Sequence, residues 1–128
     1  EVRGIVVGKT GVEYGRGVEF DRDTVGVGQV GDWSAASGKE VLLDAGRATL
    51  EILDEHQADF VDRIEARARV AGTIRLALAV SDVGAVSARL INGGAEQVAP
   101  PINTPWGDRN ARLRAPDGMQ LTLFEASD

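Results

Sequence analysis

Short runs of alternating apolar and polar residues recur along the chain. Alternation of this kind predicts strands that place one face on a core. The clearest run is 74–80, in which large apolar residues alternate with smaller or polar ones, and 5–7 reads as a short buried strand. Paired runs on either side of a glycine turn predict one hairpin in each half of the chain. The paired runs are 40–43 with 49–53, and 111–115 with 119–124.

Two stretches between these strands have helical periodicity. Residues 54–69 are rich in charge and carry Phe60, Ile64 and Ala68 at helical spacing, which predicts a surface helix that joins the two halves. The second helix is predicted from Val83, because apolar residues follow it at three and seven positions. Ser81 or Asp82 begins this helix, and the Gly-Gly pair after it ends it.

The segment before the first hairpin is less regular. Val12, Phe20 and Val25 fit one face of a helix, but Gly15 and Gly17 lie inside it. Each glycine costs about 1 kcal/mol relative to alanine in a helix interior. We therefore expect a weak, irregular helix here.

Both tryptophans fall in predicted loops. Trp33 lies in the Gly- and Ser-rich stretch 26–38, and Trp106 lies in a proline-stiffened loop that follows a short strand at 96–99. Each indole either packs over an end of the sheet or forms a wall of a pocket. In a pocket, its flat and rigid surface would stack on a planar ligand group.

The second half of the chain resembles the first. Residues 49–53 follow an Asp-Ala-Gly turn and match residues 120–124, which follow a Pro-Asp-Gly turn. The second half reads strand, helix, strand, strand, strand, and the first half fits the same order. The repeat predicts a single domain over 1–128 with similar modules at about 1–54 and 73–128, joined by a helical linker and sharing a groove.

Composition limits the class of protein. The chain has 128 residues, 43% apolar and 27% charged, as expected for one globular domain. It contains no cysteine, which excludes a disulfide framework, a thiolate zinc site and a cysteine nucleophile. No apolar run approaches the roughly 20 residues of a membrane helix, and no basic-then-apolar leader opens the chain. We expect a cytoplasmic protein with no membrane partner.

The charge of the chain argues against a nucleic-acid partner. Its net charge is −6, its pI is near 4.8, and its basic residues are scattered among acidic ones. Binding to a phosphate backbone draws on clustered Lys and Arg. A negative surface either attracts a cationic small molecule or keeps the protein soluble.

Candidate catalytic groups are few. His56 is the only histidine, and it lies in a charged turn where we expect it at the surface. A Ser/His/Asp mechanism therefore lacks a base. Residues 26–31 match G-x-G-x-x-G by letter but lack the strand-then-helix context of a dinucleotide site. We expect no catalytic residue.

The order of elements, the C-terminal motif over 105–125 and the segment Phe20-Asp21-Arg22-Asp23-Thr24-Val25-Gly26 resemble the vicinal oxygen chelate superfamily. That superfamily includes glyoxalase I, the bleomycin resistance proteins and the extradiol dioxygenases. The resemblance implies an α+β fold in which two βαβββ modules form a curved mixed sheet around a cavity. It also implies a homodimer, since two chains usually associate in this family.

The resemblance also locates the family's metal-ligand positions. Enzymes of the family carry His, Glu or Gln on the first and last strand of each module. The motif alignment places these positions at about Val6, Glu51, Arg75 and Thr122. Of these, only Glu51 is a strong ligand, because valine has no donor atom, arginine is cationic and a threonine hydroxyl is weak. We therefore expect no metal and no cofactor.

These arguments favour a non-catalytic small-molecule-binding protein similar to the bleomycin resistance proteins. It would sequester an aromatic or hydrophobic, even cationic, natural product or antibiotic. Glu51 and Arg75 either contact this ligand or neutralise each other, and Arg109 either contacts it or stays solvated or paired with acids. The alternatives are a metal-dependent glyoxalase- or dioxygenase-type lyase or oxidoreductase with other ligands, and a structural or regulatory subunit. The candidate ligand-binding residues are Trp33, Glu51, Arg75, Trp106, Arg109 and Thr122.

Overall fold

A computed structural model describes residues 2–44, 46 and 48–125. The strands are β1 (Val2–Thr10), β2 (Gly28–Asp32), β3 (Glu40–Asp44), β4 (Ala48–Leu53), β5 (Ile74–Val80), β6 (Glu96–Asn103), β7 (Arg109–Arg114) and β8 (Gln120–Glu125). The helices are α1 (Tyr14–Val18), which continues into a π-helical segment (Glu19–Val25), α2 (Glu55–Ala66) and α3 (Val83–Asn92). None of these helices is long and apolar enough to span a membrane. Ala45 of the predicted first hairpin turn lies outside the described residues.

The strands form one open, mixed, eight-stranded sheet in the order β2-β3-β4-β1-β5-β8-β7-β6. Strand β1 pairs parallel with β4, and β5 pairs parallel with β8. The two halves meet where β1 pairs antiparallel with β5. The order β1-α1-β2-β3-β4 is therefore repeated as β5-α3-β6-β7-β8, which confirms the predicted α+β fold with two βαβββ modules.

The outer face of the sheet carries two apolar clusters, one in each module. In the first module, Val18 of α1 packs on Val41 and Leu43 of β3 and on Ile52 of β4. The second cluster packs α3 against β5, β7 and β8. It consists of Val80, Val83, Val86, Ala111, Leu113 and Leu123. Because side chains alternate along a strand, the residues between these core positions lie on the opposite, concave face.

The two predicted longer helices are present. Asp82 begins α3 by accepting a hydrogen bond from the Ala85 N–H at 2.9 Å. Asp54 begins α2 in the same way, through the Gln57 N–H at 2.8 Å. A side-chain acceptor at this position satisfies one of the free N–H groups of the first turn.

Helix α2 buries polar residues, which its prediction as a surface helix did not indicate. Phe60 is 40% exposed, whereas the buried residues of α2 are Ala58 and three polar ones, Gln57, Asp62 and Glu65. The helix therefore turns charge inward, onto the concave face of the sheet. Helix α2 therefore covers the concave face of the sheet in addition to connecting the two modules.

The irregular helix over 12–25 was predicted correctly as irregular, but its apolar face was not. Val12, Phe20 and Val25 are exposed, and the buried residues of the segment are Val18 and Asp21. The wider turn of the π-helix changes which residues share a face. Asp21 accepts a hydrogen bond from the Lys9 ammonium at 3.0 Å, which joins this segment to β1.

Two predicted loops contain strand. The stretch 26–38 includes β2, which pairs with β3 at one edge of the sheet, and β6 extends through Pro100 and Pro101 to Asn103. Glycine and proline weaken a strand signal, yet an edge strand tolerates both because one row of its backbone groups needs no partner.

Candidate functional site

The concave face of the sheet and helix α2 enclose a cavity of about 650 Å³. Volumes of roughly 300–1,000 Å³ are usual for pockets that hold small molecules. Strands from both modules contribute side chains to the cavity, and α2 contributes Gln57, Phe60, Val61 and Glu65. The cavity therefore lies at the junction of the two modules.

Four aromatic residues line the cavity. Trp33 and Trp106 are 53% and 42% exposed, so both indoles lie open on the described chain. Phe60 of α2 and Phe124 of β8 line it as well. The sequence predicted the two tryptophans as candidates but missed both phenylalanines. For Phe124 a signal existed, because it lies two residues after Thr122 and so shares its face of β8.

The four positions located by motif alignment, Val6, Glu51, Arg75 and Thr122, all line this one cavity. A shift of one residue would have turned each side chain to the outer face, so all four lie on the predicted face of the sheet. Gly8 pairs with both Glu51 and Arg75 in the sheet. A Cβ atom at Gly8 would lie 3.2 Å from the Cβ and Cδ atoms of Arg75, so Gly8 leaves room for that side chain.

The Arg75 side chain is held by helix α2. Its Nη1 donates to Asp62 Oδ1 at 2.7 Å, and its Nη2 donates to the Ala58 carbonyl at 3.0 Å. The alternative in which Arg75 and Glu51 neutralise each other is therefore corrected, because the ion-pair partner of Arg75 is Asp62. Arg75 Nε is buried and has no hydrogen-bond partner among the described residues.

Arg112 of β7 joins the same buried network. Its Nη2 donates to Asp62 Oδ1 at 3.0 Å and to Glu65 Oε1 at 2.6 Å, and its Nη1 donates to Gln120 Oε1 at 2.7 Å. Asp62 and Arg112 are almost completely buried. Arg75 and Arg112 are thus both paired with carboxylates of α2 where the helix crosses the sheet. Arg69 Nε also lies 3.6 Å from Asp62 Oδ2.

Asp62 also holds the chain that follows α2. Its Oδ2 accepts hydrogen bonds from the Val70 N–H at 2.9 Å and the Ala71 N–H at 2.8 Å. Burial acts to raise the pKa of the Asp62 carboxyl, but the Ala71 N–H and the charges of Arg75 and Arg112 outweigh it, so the pKa is lowered. The charged form of Asp62 is therefore favoured by the fold.

A second acidic cluster lies nearby. Glu40 of β3 is buried and lines the cavity with Glu51. Gln57 Nε2 donates to Glu40 Oε1 at 2.9 Å, and Gln57 Oε1 accepts from the Ser37 hydroxyl at 2.7 Å. Burial raises the pKa of the Glu51 carboxyl well above its usual value, and the charge of Glu40 and a hydrogen bond with it raise it further. Arg75 offsets only part of this rise.

The metal ion that the fold family implies does not fit these residues. Glu51 is the one strong ligand among the four positions, and it is in hydrogen-bond contact with Glu40. The guanidinium of Arg75 is a fixed cation that would repel a metal ion. In the part of the chain that the structure describes, no group of three or more His, Cys, Asp or Glu residues is suitably placed to hold one.

Arg109 lies elsewhere. It is exposed, does not line this cavity, and donates from Nη1 to Asn103 Oδ1 at 3.2 Å. The position of Arg109 therefore does not support the predicted contact with a ligand in the cavity. His56 is exposed, as expected.

No protein-family model and no curated protein sequence matches the chain. Solved structures match it over almost its whole length. A glyoxalase/bleomycin resistance protein/dioxygenase superfamily member from Vibrio splendidus 12B01 is 12% identical with a TM-score of 0.71, covering 98% of this chain and 100% of that one. Methylmalonyl-CoA epimerase from Mycobacterium tuberculosis is 20% identical with a TM-score of 0.69, covering 99% and 90%.

The methylmalonyl-CoA epimerase of Streptomyces coelicolor in complex with 2-nitronate-propionyl-CoA is also similar. It is 18% identical with a TM-score of 0.69, and the match covers 100% of both chains. At these identities the likeness concerns the fold. The chain has the fold of the vicinal oxygen chelate superfamily, as its sequence motifs predicted.

Proposed function

We propose that the protein binds an aromatic or hydrophobic small molecule in this cavity, without a metal ion, and sequesters it as the bleomycin resistance proteins do. The observation that carries the proposal is one cavity lined by four aromatic side chains. Arg75 and Thr122 line the same cavity, at positions where the motif alignment expects metal ligands. The residues at the expected metal-ligand positions argue against metal-dependent catalysis. The aromatic lining of the cavity favours tight binding of an aromatic ligand.

The aromatic side chains come from separate parts of the fold. Trp33 follows β2, Trp106 lies between β6 and β7, and Phe60 belongs to α2. Each leaves much of its apolar surface exposed, and covering such surface gains about 25 cal/mol per Å². A planar ligand between them would recover this free energy without unfolding any element.

The charge of the cavity selects among aromatic ligands. Glu40, Glu51, Glu65 and Asp108 line it together with Arg75 and Arg112, whose guanidinium groups are paired with carboxylates of α2. A neutral or cationic molecule is favoured there over a polyanion. The CoA compound bound by the Streptomyces coelicolor epimerase belongs to that protein. A natural product or antibiotic with a fused aromatic system is the class that suits this chain.

The predicted homodimer forms part of the proposal. Strands β2 and β6 lie at the two ends of the described sheet order and have no further strand beside them. Natural proteins pair, cover or charge such edges. Sedimentation at tens of micromolar should therefore give twice the 13.5 kDa chain mass. A stable monomer at that concentration would contradict the homodimer and leave the cavity argument in place.

Trp106→Ala should leave the protein folded and weaken binding of a neutral aromatic probe, 1-naphthalenemethanol, at least about tenfold. The reason is that Trp106 lies in a loop between strands, where its loss removes little packing within the sheet. Calorimetric titration measures the affinity, and thermal unfolding checks the fold. Phe20→Ala removes an exposed aromatic side chain outside the cavity and should change neither quantity.

Two results would count against this proposal. If Trp106→Ala unfolds the protein while each folded molecule binds the probe normally, Trp106 is a packing residue and the ligand site must be centred on Trp33. If the purified protein carries stoichiometric Fe, Ni, Mn or Zn, the metal-free binding role is wrong.

A further inference from the structure

Glu40 and Glu51 form a carboxyl pair on the cavity face of the first hairpin. Strands β3 and β4 pair antiparallel, with Glu40 opposite Leu53 and Glu51 opposite Leu42. The two glutamates are therefore diagonal neighbours on one face, which is close enough for their side chains to interact. Both line the cavity.

The cations of the cavity are already engaged. Arg75 is paired with Asp62, and Arg112 is paired with Asp62 and Glu65. Within the described ranges, no Lys or Arg forms an ion pair with either Glu40 or Glu51. The hydrogen bond that Glu40 receives comes from the neutral amide of Gln57. The carboxyl pair thus lacks a counter-ion of its own.

The other charged groups around the pair do not supply one. The other charged side chains that line the cavity are Arg75 of β5, Glu65 of α2, Arg112 of β7 and Asp108 in the loop before β7. Both arginines are already paired with carboxylates of α2. Two carboxylates side by side in a desolvated cavity are favoured when a positive charge lies beside them.

We propose that the Glu40–Glu51 pair binds a protonated amine carried by the aromatic ligand. This inference rests on the proposed binding function and narrows its ligand to aromatic ammonium compounds. The aromatic part packs on the indoles of Trp33 and Trp106, and the ammonium group donates hydrogen bonds to the two carboxyls. The ligand then supplies the positive charge that the cavity lacks.

The test compares two probes of the same shape, 1-naphthylmethylamine and 1-naphthalenemethanol, by calorimetric titration. The amine is expected to bind the wild-type protein at least about tenfold more tightly than the alcohol. An ammonium group lowers the pKa of a neighbouring carboxyl, so the amine should also release protons, detected as a dependence of the heat on buffer ionisation. Its affinity should rise as the pH rises through the raised pKa of Glu51, while that of the alcohol changes little.

Neutral variants distinguish the contributions of Glu40 and Glu51 to amine binding. Glu51→Gln should abolish the proton release, and the double variant with Glu40→Gln should reduce amine affinity to that of the alcohol. Glu96→Gln is the matched control, because Glu96 is exposed on β6 and lies outside the cavity, and it should behave as wild type. Thermal unfolding verifies that each variant is folded.

The outcomes distinguish this inference from the proposal beneath it. Equal affinity of amine and alcohol for the wild type would overturn the amine site and leave aromatic binding intact. Failure of both probes to bind would overturn the binding function as well. If the double variant does not fold, the wild-type preference for the amine still decides the question.

Discussion

Replacing Asp62 by alanine should lower the free energy of unfolding by about 3–5 kcal/mol, the usual cost of removing one partner from a buried ion pair. The carboxylate accepts hydrogen bonds from Arg75, Arg112 and two backbone N–H groups. Without Asp62, the buried guanidinium group of Arg75 loses its carboxylate partner, and that of Arg112 retains Glu65. The loss of Asp62 also frees the chain that follows α2 from the helix.

The matched control is Asp59→Ala on the same helix. Asp59 pairs with Arg63 one turn away, and the side chains of Asp59 and Arg63 are 40% and 64% exposed. Exposed pairs at this spacing contribute about 0.3–0.5 kcal/mol. Urea unfolding of the two variants measures both effects. Similar losses in the two variants would show that the buried network does not hold α2 in place.

The same network predicts how stability responds to acid. The folded pKa of Asp62 lies below its unfolded value, so its contribution is present above the unfolded pKa. This contribution is lost as the pH falls through the folded pKa. The Asp62→Ala variant lacks it, and its unfolding free energy should therefore change less than that of the wild type over this range.

The sequence predicted the sheet well because its signals are local. Alternation in 74–80, the two hairpins and the repeat of the modules each depend on residues near one another in the chain. The motif alignment then predicted that Glu51 and Arg75 face one cavity, and the structure confirms that placement. The roles of these residues toward a ligand stay predictions.

The polar face of α2 could not be predicted in this way. Charged residues on a helix usually face solvent, so the charge-rich stretch 54–69 predicted a surface helix. Asp62 is buried because it meets Arg75 and Arg112, which lie 13 and 50 residues away in the chain. No local sequence pattern indicates an ion pair between residues so far apart in the chain.

Glu40 was missed for a related reason. The predicted strand 40–43 placed Glu40 on one of two faces, and alternation alone does not say which face is enclosed. Its environment depends on Gln57, which α2 brings against it. Helix α2 therefore decides which acidic groups of the sheet are desolvated, and the position of that helix controls the candidate site.

Gly38 lies against the first turn of α2, and Gly38→Ala is therefore expected to destabilise the protein by about 3 kcal/mol or more. Gly38 has a φ of +146°, which side chains other than glycine rarely adopt. A Cβ atom there would overlap the backbone nitrogen of Gln57 and would lie 2.6 Å from Asp54 Oδ1, the acceptor that begins the helix. These neighbours are backbone and a hydrogen-bonded carboxylate, so they have little room to move.

The variant should also impair the cavity. Displacing the first turn of α2 would break the hydrogen bond from Gln57 to Glu40, so binding of 1-naphthylmethylamine per folded molecule should weaken as stability falls. Gly28→Ala is the matched control, because a Cβ atom at Gly28 has no neighbour within 4 Å. It should change the free energy of unfolding by no more than about 0.5 kcal/mol. If urea unfolding and calorimetric titration show the two alanine variants to be alike, the turn at Gly38 does not position α2, and the cavity must be held by the Asp62 network alone.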